Sequence, residues 1–315
     1  MSRVVILLGP TGVGKTSASI LLAQHLGTEI ISADSMQIYR HMDIGTAKPS
    51  LQERASVRHH MIDVADPWEA FSTGKYLGMA TPAFESLLAG GKTPVVAGGT
   101  GLYIRAMTRG LFTGPTADWN LRQKLRSMEA QEEGSLFRLL EETDPEASAK
   151  ITPRDTRRII RALEVCMRSD SRMSELQKQF TRPLPYVFLK IGLSRDRREL
   201  YRMIEERVDE MIRAGLIDEV RRLMTLIREK GGRQDTPFAS LQAIGYKEVV
   251  QYLTGEIPLD EAVRLIKRGS KRYAKRQFTW FRKEDDVHWI DITGIRDGGE
   301  ILERITPYLD DTPTA

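Results

Sequence analysis

The chain has 315 residues, 41% of them hydrophobic and 29% charged, with a net charge of +4 and a pI near 9.1. That composition is soluble and globular, long enough for two domains, and mildly biased toward an anionic partner. It excludes an intramolecular disulfide and a cysteine metal cluster, because Cys166 is the single cysteine. Cys166 lies in the apolar-periodic run "IIRALEVCM", where a buried small hydrophobe is expected. No apolar stretch is long enough to span a membrane, and the N-terminal "VVILLG" is too short for a signal segment. A cytoplasmic protein is expected.

The first element is "VVILLGPTGVGKTSASILLAQHL", an apolar run, a glycine-rich turn and a helical pattern. Continuous rather than alternating apolarity suits a parallel strand covered on both faces. "EIISAD" (29–34) reads as a second strand and "TPVVAGGT" (93–100) as a third, with helices over 74–89 and 101–109. From Gly114 to about Pro185 the pattern changes: the loop signal "GPTADWN" precedes charged helical segments with no convincing strand. "YVFLKIGLS" (186–194) returns to the sheet, and long amphipathic helices run from Arg197 to Glu229. A further long helix (259–283), a last strand "VHWIDI" (287–292) and a frayed tail "DDTPTA" complete the chain. Alternating strands and helices predict an α/β, doubly wound parallel sheet. Its core occupies 1–114 and 186–315, and 115–185 forms an all-helical insertion.

Gly9, Pro10, Thr11, Gly12, Val13, Gly14, Lys15 and Thr16 fit G-x-x-x-x-G-K-[ST] between a strand and a helix, the signature of a P-loop NTPase-like core. Backbone N–H groups of such a loop surround an oxyanion, and the helix N-terminus adds partial positive charge. Lys15 supplies a full charge, and the Thr16 hydroxyl can hold Mg²⁺. This identifies polyphosphate binding but not the molecule that carries the phosphates. An ATPase also requires an acid at the end of a second strand, whereas "PVVAGG" ends in glycines followed by Thr100. The available acid is Asp34, which should face the same cleft, since ligands bind beyond the carboxyl ends of the strands. There it can take a proton from an acceptor while the loop holds a phosphorylated donor. Asp34 as a helix cap or an outer ligand of a metal is the alternative.

"KRGSKRYAKRQFTWFRK" (267–283) interleaves Lys267, Arg268, Lys271, Arg272, Lys275, Arg276, Arg282 and Lys283 with aromatic residues. On a helix these cations form a stripe suited to a nucleic-acid backbone, or else a solvated face balanced by acids elsewhere. The aromatic residues should lie mostly toward the interior. A second basic cluster carries Arg154, Arg157, Arg158 and Arg161. Adjacent His59 and His60 cannot share a face, and they read as structural rather than metal-binding.

Assembled, "GPTGVGKT", "ISADSMQIYRHMDIGTAKP", "HHMIDV", "VVAGGTGLYIRA", "DPEASAKITPRDTRRIIRALEV", "AIGYKE" and "RYAKRQFTWFR" resemble the tRNA dimethylallyltransferase family over nearly the whole chain. Eukaryotic relatives add a C-terminal zinc finger, which this chain is expected to do without, as bacterial members do. The resemblance implies transfer of a dimethylallyl group from dimethylallyl diphosphate to the exocyclic amine of the adenine just 3′ of the anticodon, position 37, in tRNAs reading codons that begin with U. The P-loop then holds a prenyl diphosphate with Mg²⁺ where ATP binds in relatives, and whether ATP also binds stays open.

The resemblance further implies catalytic roles for Asp34, Thr11, Lys15 and Arg207, the last in "EERVDEMIRAGL". It places Asp34, Ser35, Met36 and Gln37 against an extruded base. Thr100, Arg122, the stretch Arg157, Arg158, Ile159, Ile160 and Arg161, and Gln242, Ala243, Ile244, Gly245, Tyr246 and Lys247 then touch the anticodon arm, and Lys271 and Arg272 belong to the basic stripe. A monomer is expected. A P-loop kinase of a small acceptor, an isopentenyltransferase of free adenine nucleotides and a non-catalytic RNA-binding NTPase are the competing readings.

Overall fold

The computed structural model describes residues 2–112, 114–231 and 238–309; the tail Asp310 to Ala315 lies outside them. β1 (Arg3–Leu8), buried at five of its six residues, feeds the glycine-rich turn and α1 (Lys15–His25). β2 (Ile30–Ala33) is buried throughout and stops one residue short of Asp34. A Ser50–Glu53 capping box starts α2 (Leu51–Ser56), which leads into β3 (His59–His60). Then come α3 (Thr73–Ala89), β4 (Val95–Gly98) and α4 (Gly101–Arg109). The helical stretch comprises α5 (Trp119–Gln131), α6 (Ser135–Thr143), α7 (Pro145–Ser148), α8 (Thr156–Ser169) and α9 (Met173–Phe180). β5 (Val187–Ser194) is followed by α10 (Arg197–Arg213), α11 (Leu216–Lys230), α12 (Tyr246–Leu253), α13 (Leu259–Phe281), β6 (Val287–Asp291) and α14 (Gly298–Ile305).

The strands form one sheet in the order β3-β2-β4-β1-β5-β6, parallel at every pairing, in keeping with the apolar runs. Gly98 is in register with both Leu8 and Ala33, so the segments beginning at Gly9, Asp34 and Gly99 leave the sheet side by side. The sequence reading lacked β3, whose two half-buried histidines are too short and too polar to show a period. The helical run after β5 breaks at Gly215, whose φ of +97° precedes α11.

Residues Arg105–Leu184 make up one compact unit, and the rest of the described chain makes up the other. In the larger unit one core surrounds the sheet, with Val5, Leu7, Ile191 and Leu193 at its centre. A second core gathers Ile38, Tyr39 and Met42 with Val208, Val220, Val249 and Ile266 from α10 to α13. In the helical unit Leu125, Leu140, Ile159, Ile160 and Leu163 pack together, and Cys166 is buried as expected.

The segment after β2 is folded by two buried charges. Lys48, its side chain 1% exposed, donates to the Tyr39 carbonyl (2.9 Å), Asp43 (2.6 Å) and Asp63 (2.7 Å). Glu219 of α11 accepts from the amides of Asp43 (3.0 Å), Ile44 (2.8 Å) and Gly45 (3.2 Å) and from the Tyr246 hydroxyl (2.6 Å). Burial first, then the Glu219 charge, push the Tyr246 phenol far up, so it stays a donor. Gly45 is required by close approach, since a Cβ there lies 2.4 Å from the Tyr246 ring. Glu219→Ala leaves four donors without their acceptor. Urea unfolding is expected to show a loss of at least about 3 kcal/mol, at about 1–3 kcal/mol per unsatisfied buried group.

Candidate active site

The loop after β1 reaches α1 through glycines with positive φ, +81° at Gly12 and +109° at Gly14. A side chain at Gly12 is strained by φ and also meets Ile204 of α10 at 2.9 Å. Val13 is wholly buried, and its amide turns back to the Pro10 carbonyl (3.4 Å). The Lys15 ammonium donates to the carbonyls of Gly9 (2.9 Å) and Pro10 (2.8 Å), and no acid occupies the first turn of α1. Behind the loop, buried Arg195 donates to the Ile295 carbonyl (2.6 Å) and pairs with Glu199.

Asp34 begins the turn beyond β2. Its Oδ1 accepts from the amides of Met36 (2.8 Å) and Gln37 (3.3 Å), so it does cap a turn; Oδ2 is left for the cleft. Thr100, beyond β4, accepts from the Ser35 amide (2.9 Å). Gln37 donates its amide to the carbonyls of Thr46 (3.3 Å) and Ala47 (3.2 Å). Arg207 of α10 approaches the Thr11 hydroxyl (3.4 Å) with Nη1, while its buried Nε has no protein partner.

Two cavities meet here. One, of about 490 Å³, is lined by the glycine-rich loop, Lys15, Thr16, Asp34, Gln37, Glu206 and Arg207. The other, of about 320 Å³, is lined by Met36, Val208, Met211, Ile266 and the segment Gln242 to Gly245. Thr11, Asp34, Thr46, Arg207 and Tyr273 line both. Burial pushes the Lys15 ammonium down to about 8; Asp34 pulls it upward by less, and Arg207 adds to the lowering. Burial likewise lowers Arg207. Burial and then the Asp34 charge raise the Tyr273 phenol to about 12, so it is neutral near pH 7.

The structure thus brings Thr11, Lys15, Asp34, Ser35, Met36, Gln37, Arg207 and the 242–245 segment around one cleft. Three expected side-chain contacts need correction. Ile159 and Ile160 are buried in the helical core and Tyr246 is held by Glu219, so none of these side chains can touch an RNA. Arg122 is bound by both guanidinium arms to buried Glu164, and Lys271 is paired with Glu205 of α10, as Lys267 is with Asp209. Arg157, Arg158, Lys247 and Arg272 are exposed, whereas Arg161 is half-buried and also paired with Glu164.

Reading the sequence missed Gln277, which accepts from the Thr11 amide (2.8 Å) and donates to the Gly99 carbonyl (2.8 Å). It also missed Tyr273 as a cleft residue. The signal was present: Ile266, Ser270, Tyr273 and Gln277 follow helical spacing and line the cavities between the cations of α13.

The chain matches the IPP transferase family model over residues 37–284 and the isopentenyl transferase model over residues 2–69. It is 55% identical to a tRNA dimethylallyltransferase of Thermodesulfovibrio yellowstonii, covering 98% of this chain and 97% of that one. It is 46% identical to one of Thermotoga maritima, covering 98% of both. Among solved structures, a tRNA isopentenylpyrophosphate transferase of Bacillus halodurans superposes with TM-score 0.70 at 40% identity, over 99% of this chain and 98% of that one. A eukaryotic dimethylallyltransferase acting on tRNA superposes with TM-score 0.82 at 27% identity, over 99% of this chain and 81% of that one.

A bound polyanion favours charged Lys15 and raises its pKa, so binding near pH 8 takes up a proton. Pyrophosphate affinity is expected to fall as pH rises above about 8, the value to which burial lowers Lys15. Lys15→Arg, charged throughout this range, should show only the ligand's own pH dependence. Calorimetry in buffers of different ionisation enthalpy measures the uptake, and equal proton counts for both proteins would refute it. Gln277→Leu leaves the Thr11 amide and the Gly99 carbonyl without their partner. It is expected to cost about 1–3 kcal/mol for each group left buried and unpaired, seen in thermal melts, and to weaken pyrophosphate binding.

Proposed function

The chain belongs to the IPP transferase family, and on that premise we propose how its cleft performs dimethylallyl transfer to tRNA. The protein is a prenyltransferase acting on tRNA. The donor in this reading is dimethylallyl diphosphate, with its diphosphate in the glycine-rich loop. The acceptor is the N6 amine of the adenine 3′ of the anticodon, in tRNAs reading codons that begin with U. One observation carries the reading: Asp34, Thr11 and Arg207 stand where the phosphate cavity meets the cavity walled by Met36, Met211 and Ile266.

The N6 nitrogen attacks C1 of the dimethylallyl group as the C1–O bond to diphosphate breaks and the diphosphate keeps the bonding pair. The adenine amine is a poor nucleophile because its lone pair is delocalised into the ring. Asp34, through Oδ2, accepts its proton as the C–N bond forms, a role worth about 10²–10⁴-fold. Lys15, Arg207 and the Thr11 hydroxyl meet the charge that gathers on the leaving oxygens. The base has to leave its stack to arrive, with Ser35 to Gln37 and the 242–245 segment forming its walls. Exposed Arg272, Lys275 and Arg276 of α13 face the RNA backbone.

A magnesium ion fits this site through Thr16 and the substrate's own oxygens. Among the described residues no three His, Cys, Asp or Glu side chains form a cage, and Thr16 on the cleft wall is a hard-oxygen ligand. When bound, the ion neutralises charge on the diphosphate. No helix among the described residues is long and apolar enough to cross a membrane; a cytoplasmic site of action is part of this reading, in keeping with a tRNA substrate.

Incubation with dimethylallyl diphosphate and unmodified tRNA, followed by nucleoside mass analysis, should show a dimethylallyl group on adenosine. Asp34→Asn should keep tRNA affinity while slowing single-turnover transfer by at least about a hundredfold. Near-normal transfer in that variant removes Asp34 as the base.

A further inference from the structure

We propose that Trp119 is a stacking platform for an unpaired nucleotide of the tRNA, presented by the helical unit Arg105–Leu184; the inference rests on the tRNA reading above. Trp119 is the first residue of α5 and is 55% exposed, the one aromatic among the large exposed hydrophobic residues described. More than half of this residue's surface is therefore left in water at the helix terminus.

The indole is held in place. One turn along, Arg122 sets its guanidinium over the ring, 5.2 Å from the centroid. That guanidinium is itself fixed, with Nε and Nη2 each 2.8 Å from the two oxygens of Glu164, a residue with no exposed surface. Glu164 also accepts from the Asp118 amide (2.7 Å) and Arg161 (2.6 Å), while Arg161 donates to the Pro115 carbonyl (2.9 Å) and Arg168 to that of Thr116. The strand of loop that delivers Trp119 is therefore tied to α8 at residues 115, 116 and 118. A ring restrained before binding loses little entropy on contact.

The surroundings state the chemistry of the occupant. Arg157, Arg161, Glu164 and Arg168 recur at i, i+4, i+7 and i+11, one face of α8. With Arg122 they set four guanidinium groups near Glu164 and Asp118, two of them, Arg157 and Arg168, exposed, in the unit that carries the half-exposed indole. A polyanion with flat bases satisfies both features, and sequence-tolerant stacking on aromatic residues is how unpaired nucleotides are gripped.

The test uses the full chain and an unmodified tRNA substrate. Trp119→Ala is expected to weaken tRNA binding about 5- to 150-fold, the equivalent of about 1–3 kcal/mol per stacked base. The loss should fall on KM for tRNA rather than on kcat, with an unchanged salt slope, because no charge is removed. Trp119→Phe should recover most of the affinity, and the emission difference between the parent and Trp119→Phe should be quenched by tRNA. Wild-type affinity in Trp119→Ala, or absence of that quenching, overturns the platform while leaving the tRNA reading intact. Loss of self-association or protein binding in Trp119→Ala with unmoved tRNA affinity also overturns it. A parent protein that does not bind tRNA removes both.

Discussion

Two buried cations, Lys15 and Arg207, share the cleft with Asp34, the one carboxylate whose charge raises both, while Glu210 also acts on Arg207. A buried charge without full pairing is costly, and here the cost is visible in the lowering of Lys15 to about 8 by burial and in an Arg207 Nε without a protein partner. The fold supports the imbalance with dipoles: the Gly9 and Pro10 carbonyls receive Lys15, and the start of α1 has no acid to neutralise it. Such a site favours a ligand that carries more than one negative charge. It favours still more a transition state in which that charge grows, which is the condition for binding to become rate.

The same constraint explains why α13 has two kinds of polar face. Turned inward, Tyr273 lines the cleft and Gln277 fastens the helix to the Thr11 amide and the end of β4. Turned toward α10, Lys267 and Lys271 are consumed by Asp209 and Glu205. Only the remaining cations, such as Arg272 and Lys275, are exposed for an outside anion.

Local pattern made much of this legible. The apolar runs gave the strands, the glycine spacing gave the loop, and the position of Asp34 after a strand placed it at the cleft before any coordinates did. Arg207 was reachable only through family resemblance, because an arginine in an amphipathic helix carries no mark of its destination. Glu219 and Gln277 were invisible for a different reason: each acts on backbone groups far away in sequence, while Lys48 folds a loop back on itself, and no periodicity records either. Ile159 and Ile160 were misplaced because a contiguous stretch was taken whole, although a helix turns adjacent residues to different faces.

Hydrogen-bond inventory sharpens what the segment after β2 can offer a base. Gln37 has two amide donors, and both are spent on the Thr46 and Ala47 carbonyls, which also fixes the orientation of the side chain. Its Oε1 takes one bond from Ser32 at 3.3 Å, leaving one lone pair. Gln37 therefore has an acceptor, and no unspent amide donor, on this wall of the cleft. An exocyclic amine suits that lone pair, and a carbonyl at the same place meets repulsion. Within the proposed chemistry, such an acceptor near Asp34 matches the exocyclic amine of adenine better than the carbonyl of guanine, since a site built to bond a polar group rejects the analogue that lacks it.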